Sequence, residues 1–190
     1  MDQPCYHTKE SAAEYIQLAK SVNGAKLITI LQRHLSAGSM IHELGSGPGS
    51  DCELLQAHFK VTGSDFSNIF LSHLKNKYPE DQFLKLNAAT LYTDKKFDGI
   101  YSNKVLHHLN EDDLKSSIKR QHEILNPNGI ICHSFWKGEG DEIFKGMYVK
   151  YHTENALEKF FGDHFEILVL DAYAEFEADD SLLLIGRKKG

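Results

Sequence analysis

Met40-Ile41-His42-Glu43-Leu44-Gly45-Ser46-Gly47-Pro48-Gly49-Ser50-Asp51 is the stretch on which the fold of this 190-residue chain turns. It reads as a short buried strand, a glycine turn and a helix start. Gly45, Gly47 and Gly49 occupy alternate positions. Side chains there would stand between the backbone and anything resting on the turn, and glycine removes them while permitting positive φ. Glu43 is an acid near the end of an otherwise apolar strand. A buried carboxylate without partners is costly, so it should meet hydrogen-bond donors or a cation.

Outward from the turn, strand and helix patterns alternate, which predicts an α/β fold. Toward the N-terminus, Ser11–Lys20 reads as a helix with Tyr15, Ile16 and Ala19 on one side, broken by Asn23-Gly24. Leu27, Ile28, Leu31 and Leu35 recur at helical period in a second helix. Toward the C-terminus, Cys52, Leu54, Leu55 and Phe59 mark the helix that follows the turn. Strands are predicted at 60–65, 82–87, 96–102 and 129–136, the last after an Asn126-Pro127-Asn128-Gly129 turn. Ser67, Asn110 and Thr153 are placed to cap helices. Residues 137–151, with three glycines among charges, read as irregular, and 165–173 with 181–188 as two closing strands.

Composition narrows the function classes. Hydrophobic residues make up 41% and charged residues 25%, as in a globular protein. The length suits one domain over 1–190. A net charge of −6 argues against a broad nucleic-acid footprint. Cys5, Cys52 and Cys132 have no paired spacing, and the eleven histidines no metal-type spacing, so neither a disulfide frame nor a metal site is expected. The start lacks a basic segment followed by an apolar run, and no stretch reaches membrane-spanning length, so a cytoplasmic protein is expected.

Glu-x-Gly-x-Gly-x-Gly resembles motif I of the class I S-adenosylmethionine-dependent methyltransferases, in particular small stand-alone type 11/25-like domains. A dinucleotide fold would want Gly-x-Gly-x-x-Gly, and Ser50 stands where its last glycine belongs. The resemblance implies a Rossmann-like, doubly wound seven-stranded sheet of order 3-2-1-4-5-7-6. Strand 7 would be antiparallel, with helices on both faces. It further implies S-adenosyl-L-methionine as cofactor, S-adenosyl-L-homocysteine as product, and Glu43, Leu44, Gly45, Ser46, Gly47 and Gly49 around the methionine end and ribose. Asp65, twenty residues after Gly45, ends the second strand, where an acid accepts bonds from both ribose hydroxyls. Phe66 would lie against the adenine. The family usually ends the third strand with Asp, whereas this chain has Asn87-Ala88; the Asn oxygen would accept from the adenine amino group without charge. Ser102 and Asn103 close the implied cofactor set.

Asn103-Lys104-Val105-Leu106-His107-His108-Leu109 follows the fourth strand, and many small-molecule members carry His-His-Leu there, close to the methyl group. Histidine titrates near neutrality, so His107 or His108 is expected to orient or deprotonate the acceptor. The alternative is that one packs in the core and the other caps a helix. Residues 1–36 supply a lid and the first helices, and Tyr6, His7 and Tyr15 either face substrate or pack the lid down. Residues 137–152 form a substrate-side loop with Trp136, Met147 and Tyr148 as walls. The expected activity is in-line methyl transfer to a small-molecule acceptor, by a monomer or homodimer. Methylation of a protein or nucleic acid, or cofactor binding without catalysis, are the competing readings.

Overall fold

The computed structural model describes residues 23–190. The helix expected at Ser11–Lys20, together with Tyr6, His7 and Tyr15, lies outside the described residues. The described chain runs α1 (Ala25–Leu31), β1 (Met40–Leu44), α2 (Ser50–Gln56), β2 (Lys60–Asp65), α3 (Asn68–Lys77), β3 (Gln82–Lys85) and β4 (Phe97–Asn103). A 3-10 turn (Leu106–His108), α4 (Glu111–Ile124), β5 (Leu125–Trp136), β6 (Asp141–Phe144) and β7 (Met147–Lys150) follow. The chain closes with α5 (Glu154–Phe161), β8 (Phe165–Tyr173) and β9 (Ser181–Lys188).

Seven strands form one sheet in the order β3-β2-β1-β4-β5-β9-β8. β1 to β5 pair in parallel, and β9 inserts antiparallel between β5 and β8. This is the expected order, renumbered because β6 and β7 form a separate two-stranded hairpin. Period-two alternation makes the sheet two-sided. On β9, Leu182 and Leu184 join the core around Phe135, Phe161, Phe165 and Leu114, while Leu183 and Ile185 face the core around Leu27, Leu31, Leu55 and Phe59. Strands buried on both faces need helices on both, and α4 and α5 cover one side, α1 and α2 the other.

Helix starts follow their capping chemistry. Ser67 accepts from Phe70 N, Asn110 from Asp113 N and Thr153 from Ala156 N. Three differences from the sequence reading have local causes. β3 ends at Lys85, two residues early, because Asn87 turns its side chain onto Ala89 N. β5 begins at Leu125, and its pairing with β4 shifts between Phe97↔Leu125 and Gly99↔Ile130, so the Asn-Pro-Asn-Gly turn is looped out of a continuous strand. The segment expected to be irregular contains the β6–β7 hairpin, reversed at Lys145 (φ 49°) and Gly146 (φ 82°), whose positive φ pair suits a tight two-residue connection.

Candidate active site

A cavity of about 590 Å³ opens at the carboxyl ends of β1, β2 and β4, a size suited to a cofactor-sized ligand. The glycine turn forms its floor. Gly45 has φ 65°, and a β-carbon there would stand 2.6 Å from a Val105 methyl, so only glycine lets the turn and the post-β4 segment close on each other. Gly49 works differently. At φ 85° it ends the turn and starts α2, and a β-carbon would meet Leu74 at 2.7 Å, so it serves packing and does not line the cavity.

Asp65 Oδ2 accepts from Gly47 N at 2.9 Å and Oδ1 from Ser67 N at 2.8 Å. These bonds, with a further one from the Phe66 backbone, fix the carboxylate at the cavity wall. Burial raises the Asp65 pKa, against the pull of these backbone donors. Leu44, Gly45, Gly47, Phe66, Asn87 and Ala88 also line the cavity. Phe66 is 43% exposed, an apolar ring held open at the wall. Asn87 Oδ1 accepts from Ala89 N at 2.8 Å and keeps a second lone pair.

Other expected residues sit behind the cavity. Glu43 is buried beneath the turn with Oε2 unpartnered, and burial pushes its pKa up to about 8. Ser46 is buried, its hydroxyl accepting from Ser64 N. Ser102 is turned away entirely, bonded at 2.8 Å to His133 Nδ1, whose Nε2 reaches Gln121 in the core. Asn103 has both side-chain ends occupied, donating to Asp51 Oδ2 and accepting from the Ser134 hydroxyl. Neither side chain lines the cavity.

The two histidines separate. His107 is 3% exposed, its Nδ1 has no partner, and it is absent from the cavity wall. His108 lines the cavity, and its Nδ1 lies 2.8 Å from the Tyr148 carbonyl oxygen. A carbonyl only accepts, so Nδ1 carries the hydrogen and Nε2 keeps the lone pair. Burial first, then the neighbouring His108 and Lys104, drive the His107 pKa well down; burial lowers that of His108, so both rings are neutral. Tyr148 lines the cavity. Trp136 does not; it stacks on Phe176 and lies under the Lys104 ammonium at 3.7 Å.

Residue types alone did not single out Asp51, Lys104 or Asp113. Asp51 gathers Gly24 N, the Tyr101 hydroxyl and the Asn103 amide, anchoring the start of the described chain to β4. Lys104 takes a left-handed φ of 53° after β4 and donates to Phe135 O and Ser181 Oγ, with burial lowering its pKa to about 8. Asp113 lines the cavity from the first turn of α4. Its position three residues after a capping Asn was the available signal. Among the described residues no group of three or more His, Cys, Asp or Glu is arranged to hold a metal, and no helix is long and apolar enough to cross a membrane.

Residues 42–133 match the model of a methyltransferase domain. Trans-aconitate 2-methyltransferase of Methylobacterium radiotolerans is 32% identical over 101 residues, covering 52% of this chain and 38% of that protein. An uncharacterized methyltransferase of Oceanobacillus iheyensis is 27% identical over 123 residues, covering 62% and 53%. The matched region thus spans about half or less of these curated relatives. Among solved structures, a TehB-like S-adenosylmethionine-dependent methyltransferase from Corynebacterium glutamicum superposes with a TM-score of 0.75 at 20% identity, covering 96% of this chain and all of that one. The 1,6-didemethyltoxoflavin-N1-methyltransferase of Burkholderia thailandensis, with bound S-adenosylhomocysteine, gives 0.74 at 21% identity, covering 87% and 77%. Sheet order, glycine turn and the match over residues 42–133 together make this chain similar to the class I S-adenosylmethionine-dependent methyltransferases, whose fold it shares.

Proposed function

We propose that the chain binds S-adenosylmethionine in this cavity and transfers its methyl group to a small-molecule acceptor. The observation that carries the reading is Asp65. Its carboxylate is fixed by backbone donors at a cavity wall, where it would accept from ribose hydroxyls, next to a turn where a side chain will not fit. The cavity residues suit the cofactor. Asp65 would hold the ribose, Phe66 and Ala88 would flank the adenine, and Gly45 and Gly47 would admit the methionine end.

The cofactor, when bound, supplies an electrophilic methyl on a sulfonium. The protein's own contribution is mainly positioning, which for well-oriented partners lowers the barrier by about 7–11 kcal/mol. His108, held in one tautomer by the Tyr148 carbonyl, presents a lone-pair nitrogen that orients the acceptor and takes a proton from it. The matched curated relatives include enzymes named for a small molecule, trans-aconitate, which supports a small acceptor here. The test is release of S-adenosylhomocysteine with a panel of small acceptors, followed across pH for the parent and His108→Gln. We expect turnover in the parent, with an acid limb below pH 6.5 because burial lowers the His108 pKa, and a loss of about 100-fold in the variant. Cofactor binding without turnover on any acceptor would shift the reading to a non-catalytic binding protein.

A further inference from the structure

We infer that the acceptor is an amine-class nitrogen bearing N–H, read by Asp113 and His108. This rests on the proposed methyl transfer. Beyond the turn, the cavity is bounded by His108, Asn110, Asp113, Ile143 and Tyr148. Two of these side chains, His108 and Asp113, present hydrogen-bond acceptors to the cavity. His108 has its hydrogen on Nδ1, engaged by Tyr148 O, which leaves Nε2 as an acceptor. Asn110 caps α4, its amide donating to Asp113 Oδ2 at 3.0 Å and its oxygen accepting from Asp113 N at 2.9 Å. Asp113 gives one oxygen to that cap and retains further lone pairs.

The surrounding charge has the same sign. Glu111 and Asp141 lie close enough to Tyr148 to raise its phenol pKa further, after burial. The cation of Asp141's partner Lys150 is 3.9 Å from it. The lysine that lines the cavity, Lys104, has its ammonium directed to Phe135 O, Ser181 Oγ and the Trp136 face. Among the described residues, the acceptor end therefore offers a carboxylate and an imidazole lone pair, and no uncommitted cation. A carboxylate acceptor would meet Asp113 unscreened, whereas an amine would find both a counter-charge and a proton acceptor.

The step balances. The acceptor N–H proton passes to His108 Nε2, and the nitrogen lone pair forms the new N–C bond. The methyl–sulfur bond breaks, and its electron pair stays on sulfur as a neutral thioether.

Matched probes test the assignment. Benzylamine, benzyl alcohol and benzoate are titrated into the protein saturated with S-adenosylhomocysteine, with affinities read by ligand-observed NMR. The same series is repeated on Asp113→Asn, which keeps an oxygen for the Asn110 amide and so preserves the cap. We expect benzylamine to bind at least tenfold tighter than benzoate, and the preference to fall to less than threefold in the variant with S-adenosylhomocysteine affinity unchanged. Equal binding, a preference for benzoate, or a preference that survives Asp113→Asn would overturn the amine assignment while leaving the methyl-transfer reading intact. Failure of S-adenosylhomocysteine to bind at all would overturn both.

Discussion

Asp65 and Gly45 bear most of the site, and each has a separable signature. Asp65 keeps its backbone donors only while it is an acceptor at both oxygens. Asp65→Asn replaces one oxygen with an NH2 facing a backbone N–H or a hydroxyl. Hydrogen bonds to a charged group contribute about 1.5–3 kcal/mol, so S-adenosylhomocysteine affinity should fall by roughly 10- to 150-fold in calorimetry. Gly45→Ala forces a β-carbon into Val105 at positive φ, where strain costs about 1–3 kcal/mol. Denaturant unfolding should show that loss in the ligand-free protein, alongside weaker cofactor binding; full stability with normal binding would refute the role given to this glycine. These two residues were legible because their chemistry is local: a bare turn, and an acid at a fixed distance from it. Asp113, Lys104 and Asp51 were not legible, because their roles depend on the Asn110 cap, on Trp136 and Ser181, and on Gly24 and Tyr101, groups brought together only by the fold.

The strands carry buried histidines, and these set how the sheet responds to acid. His42 on β1 is stacked on Phe97 and hydrogen-bonded to Ser64, and His133 on β5 lies between Ser102 and Gln121. Burial lowers both pKa values to about 3, and that of His152, against Phe135, to about 4. A histidine whose folded pKa lies below its unfolded value binds its proton more readily when unfolded. Its contribution is therefore full above about pH 6.5 and is lost as pH falls toward the folded pKa. Each such group changes stability by about 1.4 kcal/mol per pH unit inside that window. Glu43, pushed up to about 8, holds its proton in the folded state and opposes one of them. The net expectation is a fall in unfolding free energy of at least ~2 kcal/mol per unit between pH 6 and pH 5, read by urea denaturation. A flat profile would contradict the burial of these rings. The β6–β7 hairpin shows where strand reading stopped. Its β6 strand is exposed throughout, Lys145 is an unusual residue for positive φ, and the only alternation is the short Met147–Lys150 run of β7. The β8–β9 pair was readable because β9 carries a continuous apolar run buried on both faces and β8 an apolar run from Ile167 to Leu170.

At the scale of the whole molecule, the doubly wound sheet brings the ends of β1, β2 and β4 to one rim. The sheet order followed from the family resemblance, since an antiparallel last strand between two neighbours leaves no mark in local periodicity. That rim makes one central claim: a ribose-bearing sulfonium cofactor, and not a nicotinamide dinucleotide, rests on the glycine turn. The most direct measurement is a calorimetric titration of the protein with S-adenosylhomocysteine and, separately, with NADH. Saturable binding of S-adenosylhomocysteine at one site per chain, weakened at least tenfold by Asp65→Asn and absent for NADH, is the predicted result. Heat with NADH alone, or with neither ligand, would contradict it.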